Sequence, residues 1–307
     1  RACTWPRSGM LIFQPGLSRA AMVGEEALDG DSCWILTEEE LHCARDAAQN
    51  RAVQALREGA AEASERRANR EVVPLGVEEG SRLVLFYAQK LPELCALCDT
   101  PSEVRWTAVV FYRRFFTVRS PMEFDPLPVM FACVHVACKI EEVHEITLDR
   151  LLEGGTFGGD AAMKAKVAAL ELHLLEGLRF QLLLEPKPDM ALSMLWDELQ
   201  AQLDAHRAGA AASDGPRYGE VPPELKQEVL SRAEDLVIDL SVRSDAVLRW
   251  PASALFAAVL AAALDGVVAG CPGADAGASG GTAPPSSLLR TLLDAGIEDE
   301  LQRAVAW

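Results

Sequence analysis

The sequence predicts an all-α protein of two tandem five-helix units preceded by an N-terminal helix, and three observations lead there. Half of the 307 residues are apolar, with Ala and Leu heavily used, while runs of Val, Ile, Thr and aromatics in strand alternation are few. Apolar residues instead recur at helical spacing between proline and glycine breaks. The third observation is the tract Asp125 to Glu142, DPLPVMFACVHVACKIEE, which is apolar at every position but one from Val129 to Cys138. A helix apolar nearly all round belongs at the centre of a bundle.

The elements follow in order. Residues 1–31 show no sustained period and are expected to form a poorly ordered tail. Residues 32–72 hold the N-terminal helix, opened by a capping box of Thr37 and Glu40. Its packed side is marked by Leu41, Ala44, Ala48, Ala52, Ala55 and Leu56, and it runs to about Arg70. The first unit covers 75–183. Its first helix, Val77 to Asp99, presents Leu83, Phe86, Tyr87, Leu91, Leu94 and Leu97, and Pro92 implies a kink or an early break. The next, Ser102 to Val118, turns Val104, Ala108, Phe111, Tyr112 and Phe115 inward and leaves Arg113 and Arg114 outside.

Asp125 caps the apolar helix, with Pro126 in its first turn, where a missing N–H costs nothing. Thr147 to Leu152 is a short helix. Asp160 to Phe180 is a longer one, with Val167, Leu170, Leu174, Leu175 and Leu178 facing the core.

The second unit covers 184–307. It comprises a helix from Met190 to Leu203, a loop from His206 to Pro223, helices from Pro223 to Ser241 and from Pro251 to about Val268, and two short terminal helices. Between them Gly270 to Pro285 reads as a flexible insertion. The start at Arg1 in place of Met suggests that the natural N-terminus lies upstream.

Composition narrows the function. The net charge is −17 and the pI about 4.8, so the body of the protein repels phosphate backbones. Most of the eight cysteines sit in apolar helical settings, as reduced thiols of the cytosol or nucleus do. Cys95 and Cys98 form a lone pair without a second pair at zinc spacing. The longest apolar run, Ala252 to Leu264, is too short to span a bilayer. There is no glycine-rich phosphate loop, nucleophile elbow or His-Glu-x-x-His. The five histidines make no ligand set; His135 and His173 read as packed or half-buried. The acids at Glu38 to Glu40 and at Glu141 and Glu142 stand at helix ends without tuning partners. No catalytic constellation, metal or cofactor is implied. Lys139, four residues after His135, places a charge at the edge of an apolar helix, where a binding partner would meet it.

Several stretches match one family. Ala137-Cys138-Lys139-Ile140-Glu141-Glu142 resembles the A-[CS]-K-x-[DE]-E signature that ends the third helix of a cyclin box. TAVVFYRRFF, from Thr107 to Phe116, resembles the preceding cyclin helix. Ser120 to Pro126, SPMEFDP, and Trp34 with Thr37-Glu38-Glu39 resemble tracts of the cyclin H group within that family. Ser244-Asp245-Ala246 before Trp250-Pro251 resembles the second box, so the likeness runs from about Cys33 to Ala269.

The resemblance implies two tandem cyclin boxes, 75–183 and 184–307, and a regulatory subunit that is not itself an enzyme. The partner would be a cyclin-dependent kinase in a heterodimer, most like the CDK-activating kinase of TFIIH, with an assembly-factor subunit and a nuclear location. It also implies kinase-binding residues: Lys139 and Glu171 as the two charged anchors, with Glu142 beside them. Other transcriptional cyclins of the C or K/T kind are the alternative. A TFIIB-like factor of the same fold would carry a basic face and a zinc ribbon, which this acidic chain lacks. The M-R-A-I-L substrate-docking motif of cell-cycle cyclins is absent from Val77 to Asp99, and the chain leaves little room after the second box for a long C-terminal helix.

Overall fold

The computed structural model describes residues 34–64, 73–210, 217–218, 221–270, 282–283 and 286–287. The expected tail at 1–31, most of the insertion at 270–285 and nearly all of the two terminal helices lie outside them. The described chain is helical throughout, apart from two short strands, β1 (Arg217–Tyr218) and β2 (Thr282–Ala283), that pair in parallel.

Helix α1 spans Glu38–Ser64. Its capping box forms as expected: the Thr37 N–H donates to Glu40 Oε2 at 2.8 Å and the Glu40 N–H to Thr37 Oγ1 at 3.2 Å. Leu41, Ala48 and Ala52 are buried, whereas Ala55 is exposed. Helix α2 (Val77–Leu97) runs through Pro92 without ending there. Its buried residues are Gly80, Val84, Ala88, Leu91, Leu94 and Cys95, so Leu91 and Leu94 lie inward as expected, whereas Phe86 and Leu97 point to solvent. Phe86 and Leu97 mimic a core stripe by size, while small Gly80 and Ala88 lie on the buried side.

Helices α3 (Ser102–Val118) and α4 (Pro126–Ile140) form the centre. Asp125 Oδ1 accepts the Leu127 N–H at 3.1 Å and starts α4, which is buried along nearly all its length. Helix α3 is enclosed more completely, with every residue from Trp106 to Thr117 buried. It packs against α1, α2, α4, α6 (Ala161–Gly177), α7 (Pro188–Ala210), α8 (Lys226–Arg243) and α9 (Ala246–Arg249). Helix α5 (Leu148–Gly154) closes the bundle under α4, where a Cβ on Gly155 would stand 2.2 Å from Cζ of Phe131. Only glycine leaves room for that ring.

The second set of helices is α7, α8, α9 and α10 (Ala252–Gly270). Helix α7 continues to Ala210, past the expected start of the loop at His206. Helix α10 lies on α8 and α7, and its buried Leu255 to Leu260 join the first set in one continuous core.

Arg113 and Arg114 correct the expected pattern. They are 6 % and 5 % exposed, not on an outer face. Arg113 donates to the Ser244 carbonyl at 2.9 Å and, in a shorter contact, to Asp245. Asp245 also receives Arg45 of α1 at 2.6 and 2.9 Å. One carboxylate thus ties the N-terminal helix, α3 and the second set together. Arg114 lies 5.3 Å over the ring of buried Trp34, with Arg179 at 5.2 Å, and the Trp34 Nε1–H donates to Gln181 Oε1 at 2.7 Å. The Leu36 N–H donates to the Leu248 carbonyl at 2.8 Å. These contacts brace the N-terminal segment.

Burial would raise the Asp245 carboxyl. The Arg45 hydrogen bond and the charges of Arg113, Arg45 and Arg249 outweigh it and hold the group below the usual carboxylate range. A group with a lowered folded pKa stabilises the fold above its unfolded value, about 3.9, and loses that contribution as pH falls through the folded value. Asp245→Asn is therefore expected to cost about 1–3 kcal/mol at neutral pH, since two guanidiniums lose their carboxylate. Its stability and that of the wild type should converge as denaturation is followed below pH 4. Phe131→Ala is expected to cost about 3–5 kcal/mol by the same measurement, because it empties the centre of α4.

Candidate functional site: the exposed end of the central helix

The last turn of α4 carries the residues that the sequence singled out. Lys139 Nζ donates to both carboxylate oxygens of Glu171 at 2.6 and 2.7 Å, across 32 positions of sequence. The two side chains are 46 % and 35 % exposed, so the pair sits on a rim. Helix α6 presents Glu171 there because Val167 and Leu174, one turn before and one turn after it on the same face, are buried where α6 packs on α4. Glu142 is exposed beside them at φ +58°, where the chain leaves the helix. One turn before Lys139, His135 is half-buried; burial first and the Lys139 charge second lower its pKa, with Glu171 opposing. It stands neutral at pH 7.

Glu141 is different from its neighbour and was missed. It was expected to lack partners, yet its side chain is 13 % exposed and forms an ion pair with Lys187. The Thr107 hydroxyl donates to Glu141 Oε1 at 2.5 Å, and Lys187 Nζ donates to Thr107 Oγ1 at 3.2 Å. Glu141 therefore joins the end of α4 to the start of α3 and to the segment entering α7. Nothing in the local sequence separates it from Glu142; its partner lies 46 positions away.

His173 is exposed and lies 5.5 Å from the Phe124 ring, on α6 but away from any catalytic group. Cys95, Cys98, Cys133 and Cys138 are buried free thiols, and burial pushes Cys95 up to about 11 and Cys138 to about 12. Such thiols are protonated and unreactive at neutral pH. Among the described residues no group of three or more His, Cys, Asp or Glu could hold a metal ion, and no helix is long and apolar enough to cross a membrane.

The residues of this rim and the two central helices behind it coincide with a known family model, "Cyclin, N-terminal domain", matched over 81–183. This part of the chain is therefore similar to a cyclin box. Cyclin CCL1 of Saccharomyces cerevisiae is 35 % identical to the chain over 113 residues, 37 % of this chain and 27 % of that one. Cyclin-H1-1 of Arabidopsis thaliana is 30 % identical over 104 residues, 34 % of this chain and 31 % of that one. The chain thus spans less than a third of the length of either relative. Among solved structures, a chain of the CAK complex from Chaetomium thermophilum bound to ATP-gamma-S superposes with a TM-score of 0.61 at 19 % identity, over 90 % of this chain and 78 % of that one. That likeness is one of fold, and it takes in the second set of helices as well as the first. Both of these relatives are cyclins by name, and one is a cyclin H.

The half-exposed Lys139–Glu171 pair contributes little to the free protein. Lys139→Ala and Glu171→Ala are each expected to change stability by less than about 1 kcal/mol in thermal unfolding. By contrast, Glu141→Ala should lower it by about 1–3 kcal/mol, because buried Lys187 and Thr107 lose their shared acceptor.

Proposed function

We propose that the chain is the regulatory cyclin of a cyclin-dependent kinase, of the CDK-activating kind associated with TFIIH, and that it works in the nucleus. The partner kinase would phosphorylate the activation loops of other kinases and the C-terminal tail of RNA polymerase II, with an assembly-factor subunit as third member. The observation that carries this reading is the Lys139–Glu171 pair on the exposed rim of the cyclin box.

A lysine and a carboxylate held side by side present a donor and an acceptor at fixed spacing. They suit a partner's helix end, where backbone carbonyls meet Lys139 and backbone N–H groups meet Glu171. Glu142 extends the acidic part of that surface. Exposed apolar residues occur on the same segment: Leu172 follows Glu171 directly, and Phe180 and Leu183 come after the end of α6. Single exposed apolar residues need no explanation, but three on one segment beside a charge pair suit an apolar patch with a polar rim.

In a kinase the helix that such a surface would grip is αC, whose glutamate must pair with the β3 lysine before phosphoryl transfer is competent. A subunit that binds only the inward position of αC activates by shifting the population. No group of the cyclin itself touches the reacting atoms. The net charge of −17 speaks against the DNA-binding alternative of the same fold.

The test is titration of a CDK-activating kinase subunit with wild-type and variant chains by calorimetry, beside thermal unfolding of each free chain. Lys139→Ala is expected to weaken binding by about 2–5 kcal/mol, and Lys139→Glu by more, because it adds repulsion against Glu171 and against the same carbonyls. Equal kinase affinity of a folded Lys139→Glu chain and the wild type would overturn the assignment of this rim.

A further inference from the structure

A cleft of about 170 Å³ opens where α1, α2, α3 and the end of α8 meet. Its wall includes Arg45, Arg113, Arg119, Arg243, Asp245 and Ser81. Four guanidiniums thus share a wall with one carboxylate, in a protein whose net charge is −17. Asp245 offsets one positive charge, and Asp239 pairs with Arg243 at 2.5 Å from outside the wall. Arg119 makes no ion pair among the described residues. Its guanidinium lies 5.8 Å from the centre of the Phe124 ring, which orients the fork without neutralising it. The cleft therefore keeps a local surplus of positive charge.

Its geometry is also fixed in advance. Asp245 accepts three hydrogen bonds from Arg45 and Arg113 and holds both side chains in place. The Arg45 guanidinium has five N–H donors and spends two of them on Asp245, so donors remain on it. Preorganised arginine forks match the oxygens of a phosphoryl group bidentately. The size of the cleft admits one such group and its side chain. The acidic body around it repels a polyanion such as nucleic acid while leaving a single dianion free to enter.

We propose that this cleft binds a single phosphoryl group carried by a protein segment, a phosphoserine or phosphothreonine. Its position leaves the kinase-binding rim free. Thr107 at the start of α3 bonds to Glu141 beside the rim, whereas Arg119 follows the other end of α3. Twelve helical residues separate the two ends, about 18 Å at 1.5 Å per residue. The cleft recruits a phosphorylated partner to the opposite end of the first box, independently of the activity proposed above.

The test is calorimetry of the full chain with an acetylated Gly-Ala-phosphoserine-Ala-Gly amide, its unphosphorylated twin and inorganic phosphate. The phosphopeptide is expected to bind one to one, at least tenfold tighter than the twin and tighter than inorganic phosphate. Arg119→Ala should weaken it at least tenfold with an unchanged melting temperature. Arg243→Gln, at an exposed side chain, serves as a second variant and should weaken it as well. Lack of saturable phosphopeptide binding, equal binding of the twin, inorganic phosphate binding as tightly as the peptide, or undiminished affinity in both folded variants would each overturn the proposal.

Discussion

The enclosure of α3 is the constraint on which the rest of the molecule depends. Every residue from Trp106 to Thr117 is buried, including two arginines. A helix that presents no face to water must be covered on all sides, which here takes helices from both sets and the N-terminal segment. The arginines set further terms. Arg113 demands a carboxylate, supplied by Asp245 at the turn after α8, and Arg114 is covered by the Trp34 ring. The ion pair through Asp245 is therefore more than a surface contact. It fixes where α1 and the second set of helices sit relative to the first box.

The end of α4 shows how one short tract is divided between the interior and the surface. Glu141 turns inward, to Thr107 and Lys187, and holds the junction between the two sets of helices. Lys139 and Glu142, on either side of it, stay at the surface. The inward glutamate stiffens the platform, and the platform presents Lys139 against Glu171 at a defined spacing. A rim built this way loses little entropy when a partner docks, because its donor and acceptor are already in place.

Much of this was legible in the sequence. The unbroken apolar run of α4, the Asp125 cap and the Thr37 capping box are local signals, and each forms as the residues imply. The juxtaposition of Lys139 and Glu171 came from the family resemblance, since no periodicity links positions 32 apart. What was not legible depended on tertiary partners. Arg113 and Arg114 read as an exposed face because the carboxylate and the ring that accept them lie 132 and 80 positions away. The face of α2 was legible only in part: Leu91 and Leu94 are buried as their spacing implies, whereas Phe86 and Leu97 mimic a core stripe by size and the small Gly80 and Ala88 lie on the buried side. Of the two outcomes Pro92 implies, the early break does not occur: a helix embedded among neighbours tolerates the loss of one backbone hydrogen bond.

The fold thus combines a core that needs every surrounding helix with a rim left open beside α4 and α6. The central claim is that the rim exists to hold a kinase in its active state. The most direct measurement is to purify the native complex through this chain, identify the co-purifying kinase by mass spectrometry and compare that kinase's activity with and without the chain. A cyclin-dependent kinase present at one-to-one stoichiometry, active with the chain and largely inactive without it, is the predicted result. Purification of the folded chain with no kinase bound, or with a kinase whose activity is the same in its absence, would contradict the account.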